Sequence, residues 1–302
     1  MREVLTLVSP AHQLADSTVT QLLDHCGADP GDTSRQWLAP HEACDVFLSG
    51  DAARDVAKIR ALVAEALHGQ NIDWAIQNEA NRGKRLFVSD LESTLIRNEM
   101  VDEMADFIGI KPQIEAITAR AMNGELDFAE GLRERVRLLT GLSVDILERA
   151  HQRLELHPGA GTLTATLRKN GVYTVIVTGG FTFFAERVRQ LLGCDEQHSN
   201  DVVIEDDRLT GEVRDPILDA ASKRRILETL CGKLGCTTDE AIALGDGAND
   251  LHMLGVAGLG VAYRAKSHVV ALAKHNIRHG DLTTLLYFLG WPRESWNEQD
   301  AG

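Results

Sequence analysis

Three short apolar runs in this chain end in polar or glycine residues: RLFVSD closes on Asp90, YTVIVTGG carries Thr178, Gly179 and Gly180, and EAIALGDG reaches Asp246. In open α/β sheets ligands bind beyond the carboxyl ends of the strands, so such residues are the first candidates for chemistry. If the three strands are neighbours, two carboxylates, a hydroxyl and two glycine N–H groups converge. Lys223, which opens the helix-compatible stretch before the third run, joins them. The set suits a phosphoryl group and a hard cation. Mg²⁺ takes oxygen ligands, here from Asp90 and Asp246, and keeps positions open for phosphate and water. Lys223, the Thr178 hydroxyl and the Gly179 and Gly180 N–H groups could hold phosphate oxygens. Asp90 could attack in line and form an aspartyl-phosphate.

The runs that carry these residues are apolar nearly throughout, as expected of a parallel sheet covered on both faces. Between the first two lies a different kind of segment, residues 99–154. Val101, Met104, Ala105 and Ile108, then Phe128, Leu132, Val136 and Leu139, recur at helical spacing, which predicts an all-helical inserted cap. Ahead of the first run, EVLTLV, STVTQLLDHC, DVFLSG, DVAKIRALVAEALHG and NIDWAIQ alternate strand and helix patterns. They predict a small α+β unit. The polar stretch NEANRGKR reads as a linker, with a boundary near Arg82. The expected fold class is α/β: a Rossmann-like parallel sheet with a helical cap over 83–302, preceded by an α+β domain over 1–82.

Composition narrows the partners. The chain has 302 residues, 44% of them hydrophobic and 25% charged, which is ordinary for a globular protein. A formal charge of −14 argues against a nucleic-acid partner, whose phosphates bind Lys and Arg. Five cysteines without paired metal spacing fit reduced thiols. No apolar stretch approaches membrane-spanning length, and the opening MREVLTLVSP is too short for a signal-peptide core, so a cytoplasmic location is expected.

VSDLESTLI, VTGGF, Lys223 and GDGANDLHM, in that order, resemble the four motifs of haloacid dehalogenase-type phosphatases. With AMNGELDFAEGLRERV and GLGVAYRAK, the resemblance is to the phosphoserine phosphatases of that superfamily, across about 86–290. It implies a Mg²⁺-dependent hydrolase that releases serine and phosphate from phosphoserine, at the last step of serine biosynthesis. Asp90 would be nucleophile and metal ligand. Glu92 would be the acid/base carboxylate and a further metal ligand through its backbone carbonyl, Asp246 the other metal carboxylate, with Asp250 and Asn249 supporting that site. Thr178, Gly179, Gly180 and Lys223 would bind phosphate. In the cap, Glu99 would hold the substrate ammonium, Arg133 the substrate carboxylate, and Phe128 would wall the pocket. A cap that opens and closes would admit phosphoserine and exclude water. The amino-terminal unit resembles ACT domains, which bind amino acids at dimer interfaces; a homodimer and serine feedback are what that likeness allows.

Most relatives carry Asp two residues after the nucleophile, where this chain has Glu92. Some relatives with Asp-x-Glu resemble phosphatases that also transfer phosphate to homoserine, so a phosphohomoserine-like substrate is the second expectation and a weakened amino-acid sensor the third. Taken singly, several residues have plainer explanations. Lys223 within SKRR suits a solvated charge cluster, Glu99 and Arg133 suit exposed ion pairs, Phe128 suits the core, and His252 is structural.

Overall fold

The computed structural model describes residues 2–10, 12–29, 31, 33–49, 55–122 and 125–299. Asn123 and Gly124 of the AMNGELDFAEGLRERV run therefore lie outside the described residues.

The amino-terminal part runs β1 (Glu3–Val8), α1 (Asp16–His25), β2 (Thr33–Ala39), β3 (Ala43–Leu48), α2 (Val56–Ala66) and β4 (Asp73–Asn78). Its strands are antiparallel in the order β2-β3-β1-β4, the βαββαβ arrangement of ferredoxin-like units. Leu5, Leu7, Val46 and Ile76 face Val19, Leu22, Leu23, Ile59 and Val63 of the two helices in one buried cluster. Strand β2 does not show as a strand in the sequence pattern. It is an edge strand whose Ser34, Arg35 and Gln36 are exposed, so no apolar alternation marks it.

A 3₁₀ turn at Glu79–Arg82 leads into β5 (Leu86–Ser89). The helices α3 (Met100–Phe107), α4 (Lys111–Met122), α5 (Phe128–Arg137) and α6 (Asp145–His151) then intervene before α7 (Ala160–Lys169), β6 (Tyr173–Phe181), α8 (Thr182–Leu192) and β7 (Glu196–Asn200). The hairpin β8 (Val202–Glu205) and β9 (Arg208–Val213) follows, then α9 (Ala220–Leu234), β10 (Ala241–Gly245), α10 (Leu251–Val256) and β11 (Leu259–Tyr263). The chain closes with α11 (Ser267–Leu272), β12 (His275–Ile277) and α12 (Thr284–Phe288). The inserted helices are not alone. Hydrogen bonds from Gly141 N to Leu209 O and from Leu209 N to Leu142 O tie the β8–β9 hairpin to them, an addition that the helical periodicity did not predict.

Strands β12, β11, β10, β5, β6 and β7 are parallel neighbours in that order. From β5 the chain moves one way to β6 and β7, then returns to lay β10, β11 and β12 on the other side. The reversal lies between β5 and β10, where a doubly wound sheet opens its binding crevice. Every residue of β5, β10 and β11 is buried, which is why these strands read as unbroken apolar runs. Leu86 and Val88 face α9 and α10, while Phe87 faces the opposite cluster.

The two strand systems are continuous. Trp74 of β4 pairs with Asn276 of β12, so all ten strands form one sheet. Gln77 donates to the Phe288 carbonyl at 2.7 Å, and Val8, Ala43 and Ala75 share a buried cluster with Leu285, Tyr287 and Phe288.

Candidate active site

The strand order β10-β5-β6 makes the three motif strands adjacent, and because they are parallel their carboxyl ends lie together. Asp90 follows β5 directly. Its N–H donates to the Leu244 carbonyl at 2.9 Å, and its Oδ1 accepts from the Leu91 N–H at 2.8 Å. Asp246 follows β10, and its Oδ1 accepts from the Thr94 hydroxyl at 3.1 Å. Asp250, fully buried, accepts through Oδ2 from the Asp246 and Gly247 N–H groups at 3.1 and 3.0 Å. Gly245 is required here, because a Cβ would fall 2.3 Å from the Asp250 Cγ.

Lys223 sits in the first turn of α9, whose start is capped by Asp219 accepting from the Ser222 N–H at 2.8 Å. The side chain turns inward, away from its exposed neighbours Arg224 and Arg225, so the solvated-cluster alternative does not hold. Its Nζ lies 2.8 Å from Asp90 Oδ2 and 2.7 Å from Asp250 Oδ1. Burial opposes its charge, yet the facing Asp250 and Asp90 outweigh that and hold the ammonium above its ordinary value. Burial, and then the charge of Asp250, push the Asp90 carboxyl well up and that of Asp246 to about 6.

Ligand oxygens of Asp90, Asp246 and Asp250 lie within 4.8 Å of one another. When all three are ionised, Lys223 offsets one of their negative charges and leaves two, the charge of one divalent cation. An all-carboxylate donor set suits a hard ion. The Glu92 carboxylate is outside this trio: Oε1 accepts from the Met100 N–H at 2.8 Å, and Oε2 lies 2.6 Å from where a Cβ on Gly180 would stand. Gly180 thus makes room for a carboxylate one methylene longer than Asp. Burial and the adjacent Glu99 raise the Glu92 carboxyl to about 8, so it carries a proton at neutral pH.

Thr178, Gly179 and Gly180 lie inside β6 rather than after it, at a break in register with β7 between Val177 and Phe181. The Gly180 N–H donates to the Thr178 Oγ1 at 2.9 Å, so this amide is already engaged, and Asn200 holds the Gly179 carbonyl at 2.9 Å. A Cβ on Gly179 would stand 2.6 Å from the Phe128 Cζ. That ring reaches this stretch of β6 from the start of α5, which is fixed by a capping box of Asp127 and Glu130.

Asp90, Glu92, Glu99, Phe128, Thr178, Gly179, Gly180, Asp246 and Asn249 border one cleft of about 290 Å³ between core and cap, with Lys223 buried behind Asp90. Arg133 does not join them. It is 40% exposed and bonds Asp215 at 2.7 Å, whereas Arg135 borders the cleft. The structure thus brings Arg135, and not the expected Arg133, to the border of the cleft. Helical geometry gives the reason, and it was available in the sequence: seven residues after Phe128 returns to nearly the same face, while five turns away from it. Lys266, which ends the GLGVAYRAK run, also borders the cleft, as do Asp102 and His268, which lie in none of the quoted motifs. Ser93, in a left-handed conformation, donates to Glu99 Oε1 at 2.7 Å. Packing around Glu99 raises its carboxyl.

Residues 84–258 match the family described as haloacid dehalogenase-like hydrolase, more than half of the chain. The chain belongs to this hydrolase family. The hydrolase is 39% identical over 250 residues to a phosphoserine phosphatase of Archaeoglobus fulgidus, covering 82% of this chain and 73% of that one. It is 35% identical over 298 residues to one from Streptomyces coelicolor, covering 99% and 72%. Its fold superposes with a TM-score of 0.86 on a haloacid dehalogenase family hydrolase from Salmonella enterica serovar Typhi, at 29% identity over 95% of this chain and 98% of that one.

Proposed function

We propose that this hydrolase is a Mg²⁺-dependent phosphoserine phosphatase acting through an aspartyl-phosphate on Asp90. The observation that carries the proposal is the convergence, in one cleft, of a buried Asp90–Lys223–Asp250 array with a protonated Glu92 and, from the cap, Glu99 and Arg135. The first group handles a phosphoryl centre; the last two oppose the two charges of an amino acid.

Asp90, Asp246 and Asp250 would hold the cation, which when bound supplies positive charge to the phosphoryl oxygens. Lys223, the Thr178 hydroxyl and the Gly179 N–H position those oxygens, and Arg135 grips the carboxylate with its planar fork. An Asp90 oxygen attacks phosphorus and the ester bond to the serine oxygen breaks, while Glu92 gives its proton to that oxygen. Serine leaves. The ionised Glu92 then takes a proton from a water whose oxygen attacks the same phosphorus, releasing phosphate and restoring both carboxyl groups. Phe128, packed against Gly179 at the border of the cleft, would help to exclude bulk water during the first transfer.

The division at residue 82, the ACT-like character of the first unit, a dimer and a cytoplasmic setting belong to the same proposal. The βαββαβ topology supports the ACT likeness. Among the described residues no helix is long and apolar enough to cross a membrane. Transfer to homoserine remains the alternative raised by Glu92, and the room made by Gly180 favours ordinary acid/base work by the longer side chain. Acid quenching during turnover of ³²P-phosphoserine should leave hydroxylamine-labile label on the wild-type chain and none on Asp90→Asn. Equal labelling of both would place the nucleophile elsewhere.

A further inference from the structure

A second cavity, of about 480 Å³, lies where the amino-terminal unit meets the core, between the end of α2 and β4 on one side and α11 with β12 on the other. Its border carries Lys274, Arg278, His68 and His279, with the Trp74 ring and the apolar Leu67 as walls. Neither Lys274 nor Arg278 has a carboxylate partner among the described residues, in a chain whose formal charge is −14. The carboxylate that borders the cavity, Asp73, is 2% exposed and already committed. It accepts from the N–H groups of Arg278 at 2.8 Å, His279 at 3.2 Å and Gly280 at 2.7 Å. Arg60 adds a third fixed positive charge beside the cavity, donating to the Lys274 carbonyl at 2.6 Å.

Unpaired cations gathered on one concave surface repel one another, and a bound anion relieves that repulsion. Lys274 and Arg278 both border the cavity without carboxylate partners among the described residues, so the complement is a dianion, small enough for the cavity. We propose that this interdomain cavity is a binding site for a small dianion, a phosphoryl group or a dicarboxylate, separate from the catalytic cleft. Helix α11 gives it a route to the cleft. Lys266, just before its start, and His268, in its first turn, border the catalytic site, while Val270, inside the helix, and Lys274, two residues beyond its end, border the second cavity. At 1.5 Å per residue this helix spans only about 9 Å, so an occupant that shifts it moves the cleft rim.

Hydrogen exchange of the full-length protein, with inorganic phosphate and separately with malonate, localises any binding. The expected result is protection of segments 64–74 and 267–279 by at least one of the two anions. In a Lys274→Ala/Arg278→Ala variant the concentration needed should rise about tenfold or more, the loss of charge-assisted contacts. Phosphate protection around 178–180 should persist in that variant, showing that it is folded and that the catalytic cleft still takes phosphate. Protection confined to the catalytic segments in the wild-type protein, or an unchanged concentration dependence in the variant, would overturn the proposal.

Discussion

At the scale of residues, two arginines in one helical turn have opposite fates. Arg135 lies on the Phe128 face of α5 and borders the cleft, while Arg133 turns to Asp215 at the surface. Replacing Arg135 by Ala should raise KM for L-phosphoserine about tenfold to a hundredfold, the value of a charge-assisted contact. KM for p-nitrophenyl phosphate, which lacks the amino-acid charges, should change less than about threefold, and Arg133→Ala should leave both constants near wild type. The same shift in both substrates would remove Arg135 from carboxylate recognition. The metal carboxylates give a second expectation. Burial and Asp250 raise the Asp246 carboxyl to about 6, so it is protonated below that pH, whereas a cation needs it ionised. Mg²⁺ affinity should therefore fall as pH drops through about 6, by about tenfold for each pH unit below it. Thermal stabilisation by Mg²⁺ at pH 5 and pH 7.5 measures this, and equal midpoints would contradict it.

At the scale of elements, the cap and core meet through Phe128 and Gly179, where a methyl group has no room. Gly179→Ala should displace the ring and lower kcat/KM about tenfold, and Phe128→Ala should cancel most of the added defect in the double variant. Additive losses would show that the two do not act as a unit. How far these elements could be read from the chain follows from burial. The wholly buried β5 and β10 announce themselves as apolar runs ending at Asp90 and Asp246, and α5 by its period and its Asp127 cap. Strand β2 and the β8–β9 hairpin carry exposed polar residues and hold their place through backbone pairing, which leaves little sequence pattern. Lys223 shows the same limit at the site: within SKRR only the rotation of α9 selects which basic residue turns inward.

At the scale of the molecule, apolar patterning suggested an amino-terminal unit joined by a linker, but patterning within segments carries no information on which sheet edges meet. One bridge between Trp74 and Asn276 merges the strands, and His275, buried beside it, places its ring nitrogens 3.1 Å from the Ile76 carbonyl and 3.2 Å from that of Gly260. Deleting residues 1–82 would bare this edge and the α12 face, so the remaining chain should lose about 10 °C or more in Tm or aggregate. A truncated protein melting within about 3 °C of the full chain would contradict the shared core. The cleft works as a whole: two parallel strands, between which the winding of the sheet reverses, end at Asp90 and Asp246, with a lysine behind them and a cap above them that reads an amino acid. Phosphate release from L-phosphoserine, measured with Mg²⁺ and with EDTA beside p-nitrophenyl phosphate, tests it most directly. The account predicts metal-dependent release that prefers L-phosphoserine and is lost in Asp90→Asn. Release that is indifferent to Mg²⁺, that survives Asp90→Asn, or that favours the simple aryl ester would contradict it.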